Sequence, residues 1–141
     1  MTVASVMTDA PACCTPKSPL TEVAKMMVDN DCGQIPVVEN LATRKLAGVI
    51  TDRDIAIRIV AQGINSSEAV AGDCMSSPCI TATPEDSIQD CCTLMETNKI
   101  RRVPVVNAND EVIGIVSLAD VARHTNASAT AAVVKEVSSI A

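Results

Sequence analysis

A chain of 141 residues, 48% of them apolar, can bury a real core, which excludes wholesale disorder. A net charge of −6, no long basic stretch and no Phe, Tyr or Trp exclude the usual nucleic-acid-binding surface, which wants a basic face and often stacking aromatics. No apolar run approaches the roughly 20 residues of a membrane helix, and MTVASVMTD lacks the basic-then-apolar order of a signal peptide, so a cytoplasmic protein without nucleic acid or membrane as partner is expected.

Taken in chain order, residues 12–15 (ACCT) read as a short strand. Ser18 and Pro19 then suit the N-cap and first position of a helix. Leu20, Val23, Met26 and Met27 form its apolar stripe at helical spacing. Residues 35–38 and 46–50 are β-branched-rich runs joined by a polar loop, which predicts a hairpin. A second helix is expected from Asp52 to near Gly63, a residue suited to a left-handed C-terminal cap. Asp86 and Gln89 then have the spacing of a capping box ahead of Ile88, Cys91, Leu94 and Met95. Further strands are expected at 103–106 and 112–116, with NAND turning between them. Near the end, Val133, Val134, Val137 and Ile140 recur at helical spacing and suggest a short amphipathic helix.

This order is an internal repeat. Pro36 of QIPVV aligns with Pro104 of RVPVV, and at the same offset of 68 Met7 meets Met75, Pro16 meets Pro84, Met27 meets Met95 and Asn30 meets Asn98. Gly48 meets Gly114 at an offset of 66, so the second copy has the shorter loop. The boundaries expected are 1–63 for the first copy, 64–125 for the second and 126–141 for a tail. Each copy reads β-α-β-β-α, an α/β (α+β) class of fold.

The repeat also explains five of the seven cysteines. Cys91 stands where the first copy has Val23, Cys92 where it has Ala24, and Cys32 where the second has Ile100. Cys74 matches Val6 and Cys14 matches Ala82, so these are packing positions filled by a small hydrophobe. With no C-x-x-C pair and His124 as the sole histidine, no metal site is expected. Redox sensing by the vicinal Cys13 and Cys14 would require a strained disulfide.

GVITDRD and GIVSLAD, at residues 48–54 and 114–120, carry the repeat's chemistry. One reading is structural: Thr51 with Asp54, and Ser117 with Asp120, have the spacing of helix-capping pairs. The other is ligand binding. A hydroxyl at a helix N-terminus can bond a phosphate oxygen, and a carboxylate one turn on offers acceptors for both hydroxyls of a ribose. Gly48 and Gly114 would let a backbone or a ligand approach closely. Catalysis is not expected, because no base stands beside a nucleophile and His124 lies near a helix C-terminus.

Both copies resemble cystathionine-β-synthase-type (CBS) domains, through SVMTDAP and DCMSSPC, QIPVV and RRVPVV, and GVITDRDIA and GIVSLADVA. The whole chain is similar to a tandem CBS pair, or Bateman module, of the small stand-alone prokaryotic, hypoxic-response type. The resemblance implies two repeats packed about a pseudo-two-fold axis, with clefts for adenine nucleotides such as AMP or ATP, or for S-adenosylmethionine. It implies a non-enzymatic regulator or sensor, homodimeric, without a further cofactor. The alternative is a structural or partner-binding pair with no physiological nucleotide. By the same resemblance Asp54 and Asp120 would hold riboses, and Thr51, Ser117 and Arg53 would face phosphate. Cys14, Ile35 and Pro36 would wall one adenine, and Ala82, Val103 and Pro104 the other. Arg58, Arg101, Arg102, Arg123 and His124 add positive charge unequally, so the two sites should differ in affinity.

Overall fold

The computed structural model describes residues 1–124; the amphipathic stretch expected near the end lies outside them. In chain order the elements are β1 (Thr8–Asp9), α1 (Leu20–Asp29), β2 (Gln34–Val38), β3 (Leu46–Thr51), α2 (Asp52–Ile55), α3 (Ile88–Asn98), β4 (Arg102–Val106), β5 (Val112–Ser117) and α4 (Leu118–His124). Helix, strand, strand, helix recurs in both repeats as expected, with antiparallel strands, but no strand element leads the second repeat.

α1 forms because its apolar residues share one stripe: Leu20 and Val23 are buried, and Met26 and Met27 pack half-buried against the same cluster. Each side chain buried in this way contributes about 1.5–3 kcal/mol before entropy is counted. The helix stops where Asn30 turns its amide back to the Met26 carbonyl, and Asp31 follows at a φ of 48°. α3 stops in the same way, with the Asn98 amide donating to the Leu94 carbonyl and Lys99 at a φ of 54°. The repeated asparagines thus each add a side-chain donor to a carbonyl of the helix's last turn.

The starts of these helices differ from expectation. Pro19, rather than Ser18, is the N-cap of α1, and the Ser18 hydroxyl accepts from the Thr15 backbone N–H at 2.9 Å. Ser87, rather than Asp86, caps α3 by accepting from the Asp90 N–H at 3.0 Å. Asp86 instead accepts from the backbone and hydroxyl of Thr83. In both places the polar side chain finds a nearer partner in the preceding turn, which shifts the helix start by one residue.

β2 and β3 form the expected antiparallel hairpin, with Gln34 opposite Thr51 and Ile35 opposite Ile50. The expected strand at 12–15 is reduced to one parallel bridge, Cys14 to Val37. After α2 the helical run continues through Ala56–Val60 with π geometry. The Ala61 N–H reaches back five residues to the Ala56 carbonyl, and the Ile64 N–H to that of Ile59. Gly63 ends the run at a φ of 70°, as its position suggests.

The compact units do not follow the sequence repeat. Of the described residues, one comprises Met1–Pro11, Ile80–Ala108 and 113–124; the other comprises Ala12–Cys79 and Asn109–Val112. Backbone pairing explains the division. β1, at the front of the first repeat, pairs with β5, placing Thr8 opposite Ile115 and Asp9 opposite Gly114. Ser76, at the front of the second repeat, bridges to Val49 of β3. Each repeat thus gives its leading segment to the sheet of the other.

One unit has its core in Leu20, Val23, Ile35, Val37, Ile50 and Ile59 with Cys14 and Cys74. The other has Val3, Ile88, Met95, Val103, Val105 and Val116 with Cys91 and Cys92. The packing role expected for these four cysteines is what the structure contains.

Candidate functional site

Thr51 ends β3 and caps α2. Its Oγ1 accepts from the Asp54 N–H at 3.0 Å, while Asp54 Oδ2 accepts from the Thr51 N–H at 3.0 Å. The two bonds make a reciprocal capping box. In the second repeat Ser117 Oγ accepts from the Asp120 N–H at 3.1 Å, and Asp120 Oδ2 accepts from the Ser117 N–H at 2.9 Å. The structural reading of both motifs is therefore present in the fold. It uses the hydroxyls as acceptors, so their own O–H protons are not consumed by the cap.

The second carboxylate oxygen is engaged differently in each repeat. Asp54 Oδ1 accepts from the Ser76 hydroxyl at 3.3 Å and has the Arg58 guanidinium at 3.9 Å. Arg58 also donates to the Met75 carbonyl at 3.1 Å. Asp120 Oδ1 is paired with Arg123, whose side chain is 68% exposed. Arg58 and Arg123 were read from sequence only as extra positive charge; their spacing of four and three residues from the aspartates carried the signal for pairing. Both arginines are at least half exposed, so a ligand hydroxyl can take their place with the guanidinium returning to water. The Asp54 and Asp120 side chains are themselves only 15% and 7% exposed. Ser76 was not anticipated, although the hydroxyl following methionine recurs as Met7-Thr8 and Met75-Ser76.

Each expected adenine wall is brought together within one unit. The Cys14 N–H donates to the Pro36 carbonyl at 3.1 Å, and the Ala82 N–H to the Pro104 carbonyl at 3.0 Å. The side chains of Cys14, Ile35, Ala82 and Val103 are committed to the cores. Burial, with the neighbouring Cys13 and Cys74 thiols, pushes the Cys14 pKa up to about 12, so the thiol is neutral near neutral pH. Arg53 follows the cap on an exposed flank, where its backbone N–H donates to Asp52 Oδ1. Arg101 is exposed and its carbonyl accepts from the Leu118 N–H at 2.8 Å.

Gly48 is closely approached by backbone, and Gly114 by a side chain and backbone. A Cβ on Gly48 would lie 2.5 Å from the Ser76 carbonyl oxygen, and one on Gly114 would meet Met7 Sδ at 2.5 Å and the Thr8 carbonyl at 3.1 Å. The glycines admit the leading segments exchanged between the repeats.

The sequence model of the CBS domain matches residues 3–61 and 71–126. The chain belongs to the CBS-domain family. CBS domain-containing protein YhcV of Bacillus subtilis is 38% identical over 120 residues, covering 85% of this chain and 82% of that protein. Hypoxic response protein 1 of Mycobacterium tuberculosis is 33% identical over 138 residues, covering 98% and 94%. The crystal structure of Hypoxic Response Protein I with two coordinated zinc ions superposes with a TM-score of 0.80 at 32% identity, over 89% of this chain and 100% of that one. The CBS pair of MJ0100, in complex with 5′-methylthioadenosine and S-adenosyl-L-methionine, gives a TM-score of 0.76 at 27% identity, over 87% and 98%. CBSX2 in complex with AMP gives 0.73 at 25%, over 86% and 93%.

Among the described residues no three His, Cys, Asp or Glu side chains come together to hold a metal ion. The buried Cys13, Cys14, Cys74, Cys91 and Cys92 are all held as thiols by burial. No helix among the described residues is long and apolar enough to cross a membrane.

Proposed function

We propose that this CBS pair is a non-enzymatic regulator that binds adenine nucleotides or related adenosyl ligands, such as AMP, ATP or S-adenosylmethionine, at its two hydroxyl–aspartate motifs. One observation carries the reading: in both repeats the aspartate uses only Oδ2 in the cap and leaves Oδ1 to displaceable groups. A carboxylate held rigidly by its cap, with a second oxygen toward exchangeable partners, is suited to a vicinal diol. Asp54 and Asp120 are then the ribose acceptors. The Thr51 and Ser117 hydroxyls have a proton to give to a phosphate oxygen. The adenosyl ligands named for MJ0100 and CBSX2 support the ligand class.

The test is calorimetric titration with AMP, ADP, ATP and S-adenosylmethionine. Saturable heat is expected for at least one of them. Because the chain has no Trp or Tyr, nucleotide carried through purification will also dominate the ultraviolet spectrum. No heat from any of the four at millimolar ligand would leave the structural, partner-binding reading of the pair.

A homodimer in the cytoplasm completes the proposal. Ile57, Val60 and Ile64 are 45%, 66% and 48% exposed, so the segment following α2 presents an uncovered apolar run. A second copy is the simplest cover for it. All seven cysteines are free, which suits a reducing compartment. Light scattering at micromolar concentration should give the dimer mass, and a monomer mass would refute this part.

A further inference from the structure

Among the described residues, Gln34 Oε1 is the buried side-chain polar atom without a hydrogen-bond partner. Buried acceptors are normally paired, because leaving one unmade costs the whole of its desolvation. Its position gives it a purpose. Gln34 opens β2 and is registered opposite Thr51 of β3. Directly opposed residues on antiparallel strands project from the same face of the sheet, so the amide lies on the side of the Thr51 hydroxyl. The next two residues are Ile35 and Pro36, and the Pro36 carbonyl holds Cys14. An orphaned acceptor thus shares a sheet face with the capped hydroxyl, on the strand that continues into Ile35 and Pro36.

The second repeat departs from this at one residue. Arg102 opens β4 two positions before Pro104, as Gln34 does before Pro36. The surroundings differ in the same direction. The first motif sets Asp52 and Asp54 against Arg53 and Arg58, whereas the second sets Asp120 against Arg123 with Arg101 and Arg102 leading into β4. A neutral acceptor in a charge-balanced setting welcomes a donor and offers a phosphate nothing. A guanidinium does the reverse.

We propose that Gln34 is a specificity-determining contact of the first site, its amide oxygen accepting from a hydroxyl or amino group of an uncharged adenosyl ligand. Arg102 in the equivalent place suits the second site to phosphorylated ligands, so the two sites sort ligands by charge. This rests on the nucleotide-binding reading above. It goes beyond that reading in assigning different ligand classes to the two motifs.

Adenosine and ATP are the probes, titrated calorimetrically into Asp120→Asn protein, in which the second motif is weakened about tenfold or more. The parent of this series should bind adenosine more tightly than ATP. Gln34→Met keeps the side chain's length and removes the amide. It should weaken adenosine roughly three- to tenfold, the range of a single neutral hydrogen bond. Its thermal midpoint should stay the same or rise, because the orphaned acceptor has gone. Gln34→Arg should move the ATP-to-adenosine preference toward ATP by about tenfold or more. Unchanged adenosine affinity in Gln34→Met overturns the inference, as does a lowered midpoint, which would mean that the amide serves the fold. A parent that prefers ATP also overturns it, while leaving the nucleotide-binding reading intact. A parent that binds neither probe, with wild-type protein equally silent toward every nucleotide, removes both.

Discussion

Asp120→Asn is expected to weaken nucleotide binding at the second motif about tenfold or more, while lowering stability by about 1 kcal/mol or less. The two effects separate because the two oxygens of Asp120 do different work. Oδ2 accepts from the Ser117 N–H within the cap, and an asparagine carbonyl oxygen can accept the same bond, so most of the cap survives. Oδ1 faces Arg123, a pair whose arginine is mostly in water and adds little to stability. A ribose diol, in contrast, needs an acceptor at that oxygen. Asparagine places an amide donor against the hydroxyl, and a hydrogen bond to a charged group contributes roughly 1.5–3 kcal/mol. Losing one is worth about a decade or more in affinity. Asp54→Asn should behave alike at the first motif, with the further loss of the bond from Ser76. Two variants that bind nucleotide as the wild type does, by the same calorimetry, would reduce both motifs to helix caps.

Gly48→Ala is expected to destabilise the fold by about 1–3 kcal/mol, the cost of forcing an atom into a packed site. The new methyl would lie 2.5 Å from the Ser76 carbonyl oxygen, a backbone atom with nowhere to rotate. That carbonyl accepts from the Val49 N–H at 3.0 Å, and the Ser76 N–H donates to the Val49 carbonyl at 2.8 Å. Relieving the clash therefore strains both bonds of the bridge. Gly114→Ala meets first the sulfur of Met7, the flexible part of a side chain. Its cost should be smaller, about 1 kcal/mol, although the Thr8 carbonyl must also give slightly. Urea unfolding followed by circular dichroism measures both, since the chain lacks Trp and Tyr for fluorescence. Equal stability of Gly48→Ala and wild type would mean that the Ser76 bridge is not a fixed part of the sheet.

What the sequence made legible follows from how each feature is encoded. The β2–β3 hairpin, the α1 stripe and the capping pairs at Thr51 and Ser117 depend on local residue types at short spacing, and these appear as expected. Helix starts moved by a residue because Ser18 and Asp86 each had a competing backbone donor three residues earlier. Left-handed backbone recurs at equivalent places, Asp31 with Lys99 and Arg44 with Asp110, yet none of these is glycine. The repeat encodes them as conformation without a residue-type signal. The Ser76 bond to Asp54 spans 22 residues, and the Gln34 orphan is visible only once Thr51 stands opposite. Contacts of that kind arise from tertiary register, which no local pattern spells out.

The exchange of leading segments has a consequence for how this chain came to be and how it can be divided. A fragment cut after the first repeat would keep β1 without its partner β5, and would lack the Ser76 bridge at the Val49 edge. It would expose two open strand edges, which invite pairing with another chain. Half-molecules are therefore expected to be poor monomers, but two identical single repeats could trade their first segments and close each other's edges. An ancestral one-repeat protein would on this logic have been an obligate swapped pair. Joining two repeats in one polypeptide makes permanent a trade that separate repeats would need two chains to make.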